Sequence, residues 1–452
     1  MLRLRDTVTG RVAELQPRDA GVVGLYVCGP TVYGPPHVGH GRFALVYDVL
    51  RRYLEFEGLR VDHVSNVTDI DDKIIERAVT EGRNWQEVAH DSEIEWWAAM
   101  DKMGVARPTT TPHATDYIAE MIELVSDLLG RGAAYATGDG VYLDTSTVKD
   151  YGLLKHQSVE SLRAGARVEV DEDKRSPVDF VLWKGAKPGE PAWDAPFGPG
   201  RPGWHTECVV MSLALLGENF DLHGGGEDLI FPHHENERAQ AVARGKRFAR
   251  HWMHNGLVRV DGEKMSKSLG NFTTMSDLFD RSDARAYRLV VLGSHYRQPV
   301  EVTERTLEDA TTALQRVDSL ARRFVDAPTD ATSEEAGEER KRFRRAMDDD
   351  LDTAGALAGL FSALRRANAL GDSGDLRGGG ALARAVLDLF AVLGVEGEAG
   401  RMAAGADVQE LVRRRDRARA TRDFAAADRL RAEIEQLGWV VEDTPGGTRI
   451  YR

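Results

Sequence analysis

A chain of 452 residues with 42% hydrophobic and 29% charged side chains excludes the disordered and fibrous classes and is too long for one hydrophobic core; its size predicts about three or four domains. No run approaches the roughly 18 apolar residues of a membrane span and MLRLRDTVTG lacks the apolar centre of a signal peptide, so the expected compartment is the cytoplasm. A net charge of −14 excludes a uniformly basic surface but not a local positive patch, and two cysteines, Cys28 and Cys208, exclude a multi-bridge disulfide framework.

The first apolar run, GVVGLYVCGP, is rich in valine and closed by Gly-Pro, the pattern of a buried strand. It passes through TVYGPPHVGHGR into FALVYDVLRRYLEFEG, whose apolar residues recur at helical spacing and stop at a glycine, and VDHVSNVT follows as a second strand. Strand, loop, helix, strand is a βαβ unit, so the expected fold class is α/β, with a Rossmann-like, doubly wound parallel sheet. Residues 111–199 differ in character: YATGDGVYLDT reads as a hairpin, and GAKPGEPAWDAPFGPGRPGW is dense in glycine and proline. This stretch is expected to be an inserted, irregular module that splits a catalytic domain of residues 1–110 and 200–255. The βαβ pattern resumes in ENFDLHGGGEDLIFPHHENERAQAVARG as strand, glycine loop and helix. From 306 to 395 the chain turns helical, with LEDATTALQRVDSLARRFVD and LDTAGALAGLFSALRRANAL amphipathic and the segments around DATSEEAGEE and GDSGDLRGGG read as loops. Residues 405–452 add a basic helix and a terminal hairpin, WVVEDTPGGTRIYR, giving a helical bundle followed by a small α+β domain.

Two motifs carry chemistry. HVGH, His37 to His40, lies between a strand and a helix, where imidazoles beside outward-pointing backbone N–H groups suit a phosphate; alone, four residues equally describe ordinary loop histidines. KMSKS, Lys264 to Ser268, sets two lysines and two serines on a glycine-flanked loop that can wrap a polyphosphate or can simply be a solvated turn. In this order and context the pair resembles the signature of class I aminoacyl-tRNA synthetases. That resemblance implies ATP as a substrate with Mg²⁺, and His37, His40, Lys264 and Lys267 as the catalytic residues. In amino-acid activation the substrate carboxylate is itself the nucleophile, so the enzyme needs charge stabilisation rather than a general base.

FPHHENERAQ reads as the start of a helix on which His233 and Glu237, four residues apart, share a face while His234 and Glu235 point elsewhere. With Cys28 and Cys208 they make a sensible zinc set of two thiolates, one imidazole and one carboxylate; the wide spacing equally fits buried thiols beside a surface helix.

Taken together, YVCGPTVYGPPHVGHGR, NVTDIDDKI, GWHTEC, HGGGEDLIFPHHENE and KMSKSLGNF resemble the cysteinyl-tRNA synthetase family, and the likeness runs through the helical region to EDTPGGT, nearly the whole chain. The resemblance implies one Zn²⁺ per chain on Cys28, Cys208, His233 and Glu237, with His234 beside these ligands. It implies a cysteine pocket of Gly29, Thr68 and Trp204, although Trp204 also fits core packing. HGGGEDL, a mere turn on its own, becomes a nucleotide site in which Gly224 and Gly225 admit adenosine and Asp228 contacts ribose, with Lys267, His37 and His40 on the polyphosphate. Residues 256–305 become the KMSKS loop and stem-contact region, 306–395 a helical tRNA-binding domain and 405–452 the anticodon-recognition domain. Val412 to Arg431 holds eight arginines against three aspartates, a run that by itself reads as a solvated helix face.

Zinc has a physical use in such an enzyme. Cysteine and serine are near-isosteres, which a pocket alone separates by only ~1–3 kcal/mol. A cation that binds the substrate sulfur as thiolate adds a term that serine lacks. The implied activity is ATP-dependent ligation of L-cysteine to tRNA(Cys) through a cysteinyl adenylate, by a monomer without a membrane partner. The alternatives are a cysteine ligase acting on a glucosaminyl-inositol acceptor in mycothiol biosynthesis, which would lack the terminal module, and a non-catalytic zinc-stabilised tRNA-binding protein, which would not need HVGH and KMSKS.

Overall fold

The computed structural model describes residues 1–158, 161, 174–260, 263–264, 273–328, 333–397, 406–444 and 447–451. At its centre is an all-parallel sheet of β1 (Val22–Val27), β2 (Arg60–Ser65), β3 (Leu222–Gly226) and β4 (His251–Asn255), in spatial order β4-β3-β1-β2. The α/β class and the βαβ units expected from the sequence are therefore present. Strand β1 reads VVGLYV with five of its six residues buried, as a strand covered on both faces should. Helix α1 (Val38–Phe56) follows it and sends Leu45, Val49, Leu50 and Tyr53 into the core. The chain leaves β1 for β2 on one side and returns to β3 on the other, and that reversal opens a crevice beyond the carboxyl ends of β1 and β3.

The inserted stretch is more regular than its composition suggests. Strands Ala134–Ala136, Gly140–Leu143, Phe180–Gly185 and Gly200–Pro202 form a four-stranded antiparallel sheet, and Leu124 and Leu128 of the helix Ile118–Gly130 share its core with Leu143 and Leu182. Gly140, Gly185 and Gly200 mark close backbone approach rather than loops. A Cβ on Gly140 would stand 2.2 Å from the Trp183 carbonyl oxygen, and one on Gly200 2.1 Å from that of Lys184.

A similar correction applies to HGGGEDL. The sequence sets its glycines in a loop after a strand, whereas His223–Gly226 lie inside β3 and pair with Trp252–Asn255 of β4. A Cβ on Gly224 would stand 2.3 Å from the Tyr47 ring of α1, and one on Gly225 2.6 Å from the His234 ring. Neighbouring side chains occupy the space that strand side chains would normally fill.

Helices Glu304–Arg323, Glu334–Asp348, Thr353–Asp372 and Leu376–Val392 form the bundle. Two segments read as loops belong partly to these helices. Ser333 caps the helix that begins in SEEAGEE, and Asp375 caps one whose first turns contain Gly378–Gly380. There a Cβ on Gly380 would stand 2.5 Å from Ala327 Cβ, so small residues let the helices approach. The last segment packs helices Ala406–Ala420 and Phe424–Gln436 on the hairpin Val440–Thr444/Gly447–Tyr451 around its own core of Leu411, Leu430, Ile434, Trp439 and Val441. Among the described residues, no helix is long and apolar enough to cross a membrane.

Candidate functional site

Cys28 directly follows β1 and so stands at the mouth of the crevice. Cys208 comes from the first turns of α2 (Trp204–Leu216), His233 from the turn Ile230–His234 after β3, and Glu237 from α3 (Glu235–Ala243). The fold brings these four together. Cys28 Sγ lies 3.6 Å from Cys208 Sγ and 3.3 Å from Glu237 Oε1, and His233 Nε2 lies 3.6 Å from Cys208 Sγ and 3.0 Å from Glu237 Oε1. Zinc bonds of about 2.0–2.3 Å place tetrahedral donor atoms roughly 3.3–3.8 Å apart, so both the spacing and the borderline-soft donor set fit Zn²⁺.

The outer atoms of these donors are held as well. His233 Nδ1 bonds His205 Nδ1 at 2.8 Å, and the second oxygen of Glu237 meets His223 Nε2 at 2.8 Å, the arrangement that orients metal-binding imidazoles and carboxylates. Burial pushes the thiols of Cys28 and Cys208 up and the His233 imidazole down. A pocket of this kind keeps the two thiols and this imidazole uncharged, and a cation among them reverses the preference for the thiols. His234 does not point away, as its helical position alone suggests, but lies beside the cluster, as the resemblance implies. It is fully buried with Nε2 4.0 Å from Glu237 Oε1, its Nδ1 bonds His254 Nε2 at 2.7 Å, and with Cys28, His223 and Glu237 it forms a second, overlapping group of suitable donors. His205 and His223 were not singled out from the sequence; HTE and LHG, polar residues inside otherwise apolar runs, were the available signal.

Cys28, Cys208 and His233 open onto a cavity of about 420 Å³, while Glu237 lies behind it. Gly29, Thr68 and Trp204 line the same cavity. The Trp204 ring stacks on that of His233 with centroids 4.0 Å apart, so it lies against the cluster rather than deep in the core. Thr68 donates to Glu207 Oε2 at 2.7 Å, and Gly29 N–H donates to Asn66 Oδ1 at 2.9 Å. Asn66 and Glu207 were likewise missed, since only these cross-chain contacts single them out.

At the other end of the cavity, His37 is the N-cap of α1. His37 Nδ1 accepts from the His40 backbone N–H, His40 Nδ1 accepts from the His37 N–H, and the rings stack 3.7 Å apart. Both histidines line the cavity at the positive end of the helix. Asp228 and Gly226 line it too, but Gly224 and Gly225 do not, their open faces being covered by Tyr47 and His234. The backbone of Glu263–Lys264 pairs with Arg259–Val260 as a short strand; Lys267 lies outside the described residues. In the terminal segment several arginines are already engaged. Arg415 is 2% exposed and bonds Asp443 at 2.6 Å, and Arg413 and Arg417 both pair with Glu410.

Residues 14–312 match the class I (C) tRNA synthetase catalytic domain, 342–396 the DALR domain and 403–451 the cysteinyl-tRNA ligase anticodon binding domain. The chain is 44% identical over 464 residues to a cysteine–tRNA ligase of Carboxydothermus hydrogenoformans and 45% identical over 462 residues to one of Halorhodospira halophila, in each case across 100% of both chains. Among solved structures it is similar to Mycobacterium tuberculosis methionyl-tRNA synthetase in complex with methionyl-adenylate, with a TM-score of 0.64 at 14% identity over 82% of this chain and 91% of that one, a likeness of fold alone.

Proposed function

The chain belongs to the cysteine–tRNA ligase family of class I tRNA synthetases, and on that premise we propose that it joins L-cysteine to tRNA(Cys) in two steps through a cysteinyl adenylate. The observation that carries the proposal is the convergence of Cys28, Cys208, His233 and Glu237 on one wall of a cavity whose far end is the N-terminus of α1.

In this reading Cys28, Cys208, His233 and Glu237 hold Zn²⁺, and Gly29, Thr68 and Trp204 enclose the rest of the amino acid. When bound, the zinc supplies a strong bond to the substrate sulfur that the hydroxyl of serine, with its much higher pKa, cannot match. The cysteine carboxylate attacks the α-phosphorus of ATP and pyrophosphate leaves, a displacement in which no protein base takes part. His37, His40 and the α1 N-terminus stabilise negative charge at the α-phosphate, Gly226 and Asp228 border the nucleoside, and Lys264 and Lys267 take the charge of the leaving pyrophosphate. A hydroxyl of the terminal ribose of the tRNA then attacks the acyl carbon and AMP departs. The match of residues 403–451 to an anticodon binding domain supports tRNA over an amino-sugar acceptor.

Zinc analysis of the purified chain, combined with ATP–pyrophosphate exchange driven by cysteine or by serine, tests this reading. The expected result is one zinc per chain and exchange with cysteine alone. A metal-free preparation that still rejects serine would overturn it.

A further inference from the structure

Glu207 stands in the first turn of α2, three residues after Trp204 and one before Cys208, and is 1% exposed. It does not line the cavity. Its carboxyl instead reaches the loop after β2, where Oε2 accepts the Thr68 hydroxyl at 2.7 Å across 139 residues of sequence. Asn66 Nδ2 donates to the same hydroxyl at 3.2 Å. The other end of that amide, Oδ1, accepts from Gly29 N–H at 2.9 Å and from the Tyr26 hydroxyl at 3.2 Å, and lies 3.7 Å from Cys208 Sγ. A backbone N–H can only donate, so the Gly29 contact fixes which way the Asn66 amide faces. Thr68 and Asn66 are each 1% exposed, so bulk solvent does not substitute for a lost partner in this chain of bonds.

Gly29, Asn66 and Thr68 thus form one continuous polar wall of the cavity, supplied by the loops after β1 and β2 and held from behind by α2. The loops are in direct contact, since a Cβ on Gly29 would fall 1.7 Å from the Asn66 carbonyl oxygen. Two of the four zinc-type donors, His233 and Glu237, have supports of their own in His205 and His223, and the wall meets the donor set at the Asn66 Oδ1–Cys208 Sγ contact. Resting on the assignment of this cavity to cysteine, we propose that Glu207 is a positioning residue that sets the Thr68–Asn66–Gly29 wall in the orientation that receives the amino acid, without itself touching the substrate.

The test uses the full-length, zinc-loaded chain, with zinc content measured beside KM for cysteine, KM for ATP and kcat in pyrophosphate exchange. Glu207→Met removes the acceptor and should raise the cysteine KM about tenfold or more, with zinc content, ATP KM and kcat unchanged. Glu207→Gln keeps an oxygen in place and should return the cysteine KM to within about threefold of the parent. Thr68→Val cuts the same bond from the other side and should also raise the cysteine KM, with the double variant no worse than Thr68→Val alone. A cysteine KM that is unchanged in Glu207→Met, an equal rise in the ATP KM, or additive losses in the double variant would overturn the proposal. If methionine at 207 prevents folding, Thr68→Val and Glu207→Gln decide: a parental cysteine KM in the first, or a tenfold rise in the second, overturns it. Absence of cysteine-dependent exchange in the unsubstituted chain would instead overturn the cysteine reading.

Discussion

His63, in the middle of β2, is 7% exposed, and among the described residues neither ring nitrogen has a hydrogen-bond partner. Burial, aided by the charge of Arg51, pushes its imidazole down to about 3. The unfolded chain titrates near 6.5, so it takes up this proton first as the pH falls. The stability associated with His63 is therefore whole above about pH 6.5 and lost toward pH 3, at ~1.4 kcal/mol per pH unit. Replacing His63 by Leu should make the urea midpoint less sensitive to acid, by about 1 kcal/mol between pH 7.5 and 5.5; an unchanged pH dependence would exclude this residue as a source. At Cys208, the change to Ser exchanges a thiolate donor for a hydroxyl of far higher pKa. It should weaken zinc binding at least about tenfold, read from the rate of metal release to a chelator. Scarce cysteines and a His-Glu spacing on one helical face make these donors candidates, but the same residues equally fit buried thiols beside a surface helix, and only the resemblance to the cysteinyl-tRNA synthetase family implies the set of four. Asn66, Glu207, His205 and His223 could not be picked out, because nothing local separates a polar residue that supports a site from one that merely lies beside it.

Glycine runs at 224–226 and 378–380 predict breaks, yet both lie in regular elements, where at Gly224, Gly225, Gly379 and Gly380 a distant part of the chain approaches too closely for a side chain. Backbone propensity is local, whereas the approach of Tyr47 to β3 is not. Tyr47 cannot retreat easily. It is 1% exposed, and its hydroxyl, which accepts the Gly225 N–H at 2.6 Å, has one proton to share between the carbonyls of Met253 at 2.7 Å and Gly225 at 2.9 Å. Gly224→Ala should therefore destabilise by about 1–3 kcal/mol or more and lower the thermal midpoint, without adding any polar group to the core. A midpoint within a degree of the parent would show that α1 can shift, and that the contact is softer than its geometry indicates.

On the scale of the whole molecule, the strand and helix periodicities were enough to give the α/β class, because apolar runs bounded by Gly and Pro are a local signal. How the bundle is tied to the sheet was not visible. Arg288, fully buried on the helix Ala284–Leu292, bonds Asp48 of α1 at 2.7 Å, the Met103 and Gly104 carbonyls, and the Leu393 carbonyl at the end of the bundle. Removing it leaves a buried carboxylate and carbonyls without their donor, so Arg288→Ala should cost about 3–5 kcal/mol, with Arg52, 2.9 Å from Asp48, holding the loss to the lower end. The terminal segment is attached quite differently. Its apolar side chains form a separate cluster, and Arg322–Glu442, at 3.7 Å, is a partly exposed pair of small energetic weight that links it to the bundle. A chain shortened to residues 1–397 should therefore keep the thermal midpoint of its sheet and bundle and the full rate of cysteine-dependent pyrophosphate exchange. It should lose most transfer to tRNA, because the arginines that remain exposed on the terminal helices would go with the removed segment. Loss of exchange together with transfer would mean that the terminal segment supports the catalytic cavity itself. Unimpaired transfer would mean that the tRNA is held entirely by the sheet and the bundle.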